Sequence, residues 1–248
     1  TKGLVQMNED VYGIKKWGDD ILEIIENGNI GLKNPFFPQN PPVDLIKVIK
    51  SLNERGINCP VLLRVTDYLA FRISQINKSF SNAIKEIGYE GDYRGVFPVK
   101  VNQQAQVIDR IVEYGKEFDF GLEVGSKPEL LIALAHDLSS NSTIICNGIK
   151  DREFINLALL SQKIGFKTIL VLESPRELDL IIEVSKELNI LPLLGIRIKL
   201  TNKVSGNWSQ SSGDRSAFGL SVEQVMNVIK QLKVSGYLKC LILQHSHL

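Results

Sequence analysis

From residue 93 onward, short apolar runs alternate with longer stretches in which an apolar side chain returns every three or four positions. The runs at 93 to 100, 118 to 124, 142 to 147, 167 to 172, 193 to 200 and 239 to 247 predict strands. The periodic stretches at about 103 to 115, 127 to 138, 151 to 165, 174 to 188 and 221 to 235 predict helices. Runs as uniformly apolar as TILVL (168 to 172) and CLIL (240 to 243) predict strands buried on both faces, as in a parallel sheet covered by helices. Six strands joined by five crossover helices fit a (β/α) barrel or a doubly wound sheet. We take the barrel: an α/β fold, a partial (β/α)8 barrel with about six of eight strands. A complete barrel takes about 250 residues by itself, so two units are expected beyond this chain, which reads as part of a longer polypeptide.

The first ninety or so residues differ. YGIKKWGDD (12 to 20) and ILEIIENGNIGLK (21 to 33) alternate around Asn27-Gly28, a dipeptide suited to a tight hairpin turn, so residues 11 to 33 predict antiparallel strands of a β-domain. NPFFPQNPP (34 to 42) excludes regular structure and reads as a linker. The expected division is therefore residues 1–42, a β segment with its linker, and residues 43–248, the incomplete barrel. The barrel is entered through a helix from Val43 to Asn53, a short strand from Val61 to Val65 and a long helix from Tyr68 to Ile87.

With 44% apolar residues among 248, the chain can bury a sizeable core. Its 29 basic and 28 acidic side chains leave +1 and no basic block, which argues against a nucleic-acid partner. No apolar stretch has the eighteen or so residues a membrane helix needs. Cys59, Cys146 and Cys240 are odd in number, far apart and set in apolar, strand-like surroundings, so they read as buried, reduced thiols of a cytoplasmic protein. No cysteine and histidine spacing matches a zinc site.

Polar residues recur at the C-terminal ends of the predicted strands: Lys100 and Asn102, Glu123, Asn147, Glu173, Arg197, then His245 and His247. In a parallel barrel that end carries the loops that build a site. GVFPVKVN (95 to 102) delivers one ammonium to a strand tip after a proline and β-branched residues, where a lysine that condenses with a carbonyl would sit in a partly dry pocket. A lysine whose stem merely lies on apolar surface is the competing reading.

GVFPVKVN followed by GLEVGSKPEL (121 to 130) resembles the paired signature of the fold-type III pyridoxal phosphate decarboxylases, which remove the carboxylate of arginine, ornithine or diaminopimelate. WGDD, GYEGDYRGVFPVKVNQ, ICNGIKDREFI, LGIRIKL, SGDRSAFGL and the terminal QHSHL extend the resemblance, in order, over nearly the whole chain and toward the arginine-specific branch. The resemblance implies that Lys100 is the amine joined to pyridoxal 5'-phosphate, that His247 stacks on its ring, that Arg197 lies beside it, and that Glu123 and Glu129 shape the pocket. His245 is left as structural. The implied reaction converts arginine to agmatine and carbon dioxide, on a route to polyamines, in a homo-oligomer, a dimer or tetramer. Magnesium is implied by the family alone, without identifiable ligands here. The phosphate-binding glycine cluster, the acidic partner of the pyridine nitrogen and a substrate-binding β-domain would all lie beyond His247, so this chain alone is expected to be inactive. Several relatives carry a lysine where this chain has Ala217. The alternatives are an ornithine or diaminopimelate decarboxylase of the same fold, or a non-catalytic carrier or regulator that binds the cofactor. The loop from Thr201 to Phe218 reads equally as a lid or as a mobile segment.

Overall fold

A computed structural model describes residues 11–199 and 218–247. Its contacts divide the chain into two units at Ile76/Asn77, inside the long helix that spans Thr66–Ile87.

In the first unit, β1 (Leu22–Ile24), β2 (Ile30–Leu32) and β3 (Val43–Asp44) form an antiparallel sheet in that order. The hairpin closes as its sequence predicts: Gly28 takes φ +83°, Ile25 donates its N–H to the Asn29 carbonyl, and Ile24 pairs with Ile30. Residues 11–18 are not strand. Ile14–Trp17 forms a single helical turn, α1, between two glycines, closed by the Gly18 N–H on the Ile14 carbonyl at 2.7 Å. Asp44 joins sheet to helix: its carboxylate accepts from the Asn27 and Asn29 side-chain amides and caps α2 (Leu45–Glu54) through the Ile46 and Lys47 N–H groups. The predicted strand Val61–Val65 has no ladder partner and forms no strand. β-propensity alone does not make a strand without a neighbour. The long helix Thr66–Ile87 is α3.

The second unit is a parallel sheet of six strands whose order follows the chain: β4 (Val96–Pro98), β5 (Gly121–Val124), β6 (Thr143–Cys146), β7 (Lys167–Leu172), β8 (Leu193–Arg197) and β9 (Leu241–His245). Between them lie α4 (Ala105–Gly115), α5 (Lys127–Leu134), α6 (Arg152–Lys163), α7 (Arg176–Leu188) and α8 (Val222–Ser235). This is the wall of a (β/α) barrel, with six of its strands in place. All of β5 is buried, as is β7 after Lys167, because these strands meet side chains on both faces. Leu122, Leu170, Leu194, Ile155 and Ile181 lose all exposure in this core. Truncating any one of these leucines to alanine would cost about 2–5 kcal/mol.

Side-chain caps start the helices where the sequence turns polar. Asp151 accepts from Phe154 N, Ser126 from Glu129 N, and Ser221 forms a reciprocal box with Gln224. The observed strands are shorter than the apolar runs: 93–100 shrinks to Val96–Pro98, and Val99–Val101 becomes a 3-10 turn. Among the described residues no helix is long and apolar enough to cross a membrane. The loop expected from Thr201 lies, up to residue 217, outside the described residues.

Candidate active site

Parallel register brings the strand ends side by side. Pro98 lies opposite Glu123, Val124 opposite Cys146, Leu172 opposite Ile196, and Arg197 opposite His245. The residues at or just past those positions therefore face one mouth. A cavity of about 360 Å³ opens there, lined by Lys100, Glu123, Glu129, Asn147, Glu173, Arg197, Phe218 and His247, with Gly125 and Gly148 in its floor. That volume is in the range of small-molecule sites. Another cavity, of about 400 Å³, involves the residues leading into β4 and β5, at the opposite ends of those strands.

Lys100 sits in the 3-10 turn, not on the strand itself. Its neighbour Val99 is fully buried and anchors the turn, while Lys100 is exposed, so its amine meets an open mouth and not a dry pocket. The Asn102 side chain accepts from Gln104 N at the start of α4, and it does not line the cavity.

The acidic residues are fixed by donors from neighbouring loops. Glu123 is 7% exposed and accepts from the Asn147 side-chain amide at 2.9 Å. With its amide so oriented, Asn147 is left with a buried Oδ1 that has no hydrogen-bond partner. A buried acceptor left unpaired costs about 1–3 kcal/mol, and such groups are ordinarily met by a water or a ligand. Glu129 closes the β5–α5 turn: Gly125 N–H donates to it at 2.7 Å and the Gln103 amide at 3.4 Å. Glu173, 2% exposed, accepts from Gly148 N–H at 2.9 Å and from Arg197 Nη1 at 3.1 Å on each oxygen. The Arg197 guanidinium lies 5.5 Å from the Phe218 ring centroid, within cation–π range.

His247 follows β9, lines the cavity and is exposed. His245 is not part of the lining; its ring meets that of His247 edge to face at 6.1 Å. Burial pushes the His245 pKa below its ordinary value, the Arg197 charge adds to this, and its Nδ1 is buried without a partner. Burial pushes the Cys146 thiol up to about 12, which keeps it a protonated core group beside the site. Among the described residues no cluster of three or more metal-binding side chains occurs.

All five residues singled out from the sequence, Lys100, Glu123, Glu129, Arg197 and His247, thus meet at one cavity, joined by Asn147 and Glu173 from the strand-end series. Sequence reading missed Lys150 and Glu177. Lys150 Nζ, with no side-chain exposure, lies 3.1 Å from Glu177 Oε1. The signal was a lysine three residues past the strand-end Asn147, but its partner comes from the next βα unit.

A parallel barrel wall with an exposed lysine and three held carboxylates at its C-terminal mouth places the chain in the α/β class whose small-molecule sites lie at that end. The chain belongs to the family described as "Pyridoxal-dependent decarboxylase, pyridoxal binding domain", which matches residues 73–241. It is 44% identical over 244 residues to the biosynthetic arginine decarboxylase of Gloeobacter violaceus, covering 98% of this chain and 38% of that protein. It is 46% identical over 237 residues to that of Prochlorococcus marinus strain MIT 9312, covering 96% and 36%. The chain therefore spans well under half the length of these relatives. Among solved structures, the biosynthetic arginine decarboxylase of Campylobacter jejuni superposes with a TM-score of 0.82 at 33% identity, over 96% of this chain and 37% of that one. A diaminopimelate decarboxylase from M. jannaschii shares the fold, with a TM-score of 0.68 at 22% identity over 93% of this chain and 48% of that one.

Proposed function

We propose that this chain is the pyridoxal-binding part of an enzyme that decarboxylates arginine to agmatine, and that Lys100 carries the cofactor. The observation that carries the reading is the convergence of Lys100, Glu123, Arg197 and His247 on one cavity at the C-terminal mouth of the sheet. The residues fit pyridoxal phosphate. An amine is presented to solvent for its aldehyde, and the Asn147 side chain and the Arg197 guanidinium line the same cavity. The names of the relatives at 44% and 46% identity favour arginine over ornithine and diaminopimelate.

Pyridoxal phosphate, when bound, supplies the electron sink for the electron pair left as the Cα–carboxylate bond breaks. The protein supplies position and protons. Lys100 Nζ would hold the cofactor through its aldehyde, and its free amine would be the group at this mouth that carries a proton to the substrate carbon. His247 offers a flat face for the cofactor ring. Arg197, locked onto Glu173, contributes a fixed cation beside it. Glu123 and Glu129, held by Asn147 and Gly125, shape the wall behind the amine. The reading includes a cytoplasmic homo-oligomer, with magnesium at ligands outside the sets described here.

The test is borohydride reduction of the full-length protein with pyridoxal phosphate, followed by peptide mass mapping and a carbon dioxide release assay on arginine, ornithine and diaminopimelate. Label on Lys100 with arginine as the preferred substrate is expected. Label elsewhere, or ornithine turned over faster, overturns the reading.

A further inference from the structure

Lys150 and Glu177 form an ion pair that does not line the cavity, with side-chain exposures of 0% and 5%. Burying such a pair is costly, and an apolar pair of similar volume is often as stable or more so. Stability is therefore a poor account of it. Its hydrogen bonds point to another role, because they go to the end of β7 and to the loops after β6 and β7 that present the site. The Lys150 ammonium donates to the Gly148 carbonyl at 2.5 Å and the Val171 carbonyl at 2.6 Å, and approaches Glu177 Oε1 at 3.1 Å. Glu177 Oε2 accepts the Glu173 N–H at 2.7 Å and the Ser174 N–H at 3.3 Å, while Oε1 accepts the Lys150 N–H at 2.8 Å. The pair thus clamps the loop after β6 to the loop after β7.

Both ends of that clamp meet again at Glu173. Its backbone N–H is held by Glu177, its carboxylate takes the Gly148 N–H, and both its oxygens take Arg197 Nη1. Its carbonyl accepts the Gly219 N–H at 3.1 Å, next to Phe218 on the cavity wall. We propose that Lys150 and Glu177 are positioning residues, which set Glu173 and through it fix the Arg197 guanidinium and the 218–220 segment against the cofactor site. A second layer of this kind orients the groups that touch the ligand, and at metal sites its loss costs about 10- to 100-fold in affinity. The cofactor side of this inference rests on the function proposed above.

The experiment uses the full-length protein with K150M, E177Q and the double variant K150M/E177Q, in which the uncharged glutamine still offers an oxygen to the backbone N–H groups. Pyridoxal phosphate affinity is titrated by absorbance, with and without R197Q, and amide exchange is followed at residues 147–150, 173–177 and 218–220. Weakening of about 10- to 100-fold is expected for K150M, by analogy with those second layers. In the R197Q background the further weakening is expected to be smaller, because part of the pair's effect runs through Arg197 and the rest through the 218–220 segment. Exchange at 218–220 should quicken in every variant that folds. Should K150M fail to fold, E177Q and the double variant are judged by the same criteria. Wild-type affinity in the double variant, effects that multiply with R197Q, or unchanged exchange at 218–220 would each overturn the proposal. If wild type takes up no pyridoxal phosphate, the functional reading falls, while the exchange data still decide whether the clamp positions this wall.

Discussion

Replacing Gly148 by alanine tests the floor of the site directly. Gly148 has φ +73°, and a Cβ added there would lie 2.6 Å from the Gly125 carbonyl oxygen. The left-handed backbone costs an alanine about 1–2 kcal/mol. The clash is with main chain, which cannot swing away as a side chain would, and overpacking of that kind typically adds about 1–3 kcal/mol. The sum, about 2–5 kcal/mol, is a large part of the 5–15 kcal/mol that holds a typical domain together. Gly165 provides the control: it too has positive φ, +99°, but an added Cβ there meets nothing within 4 Å. Gly165→Ala should show the backbone cost alone. The assay is denaturant unfolding of both variants at matched m values, combined with cofactor titration, since moving Gly148 also lengthens its N–H bond to Glu173. Midpoints equivalent to within about 0.5 kcal/mol, the usual scatter between independent sites, would refute the close approach of the two loops.

Three further outcomes follow from the same physics. The Asn29 and then the Asn27 amide hold the Asp44 carboxyl down at about 2, against an ordinary 3.8. Below pH 4 the unfolded chain therefore takes up a proton that the folded one refuses, and stability falls as pH drops toward 2. Asp44→Asn should flatten that acid limb in a circular-dichroism titration, and an unchanged slope would disprove the role of the cluster. Cys146 and Cys240 are buried as their sequence suggests, but Cys59 is exposed, because the segment after it forms no strand, so iodoacetamide should label Cys59 in the native protein and the other two only on unfolding; native labelling of Cys146 would contradict its place in the core. Arg197→Lys should raise cofactor Kd by about 10-fold, since an ammonium cannot reproduce the planar guanidinium's packing on the Phe218 ring, and an unchanged Kd would remove Arg197 from the site.

The barrel wall was legible because runs such as TILVL declare burial on both faces, and its helices because their apolar period and caps agree. The five residues named by motif line one cavity, and the strand-end series added Asn147 and Glu173. Less was readable where tertiary partners decide. Val61–Val65 has strand-forming residues and no partner strand, and Lys100 was assigned to a strand that gives way to a 3-10 turn once Val99 turns into the core. The Lys150–Glu177 pair was invisible because its members lie 27 residues apart and on different βα units. In sequence, Glu177 is an ordinary acid in a helix's first turn, and only the fold shows that it meets a buried ammonium.

The strand order of the parallel sheet has a consequence for biosynthesis. Each strand pairs with the one made just before it, so every βα unit can dock on a finished neighbour as it leaves the ribosome, without waiting for distant partners. The residues that line the cavity are laid down in the same sequence: Lys100 emerges first, the carboxylates and the guanidinium next, and His247 after them. A ribosome stalled before β9 would hold a nascent chain with its amine made and this imidazole still to come, a wall begun before its cavity is lined.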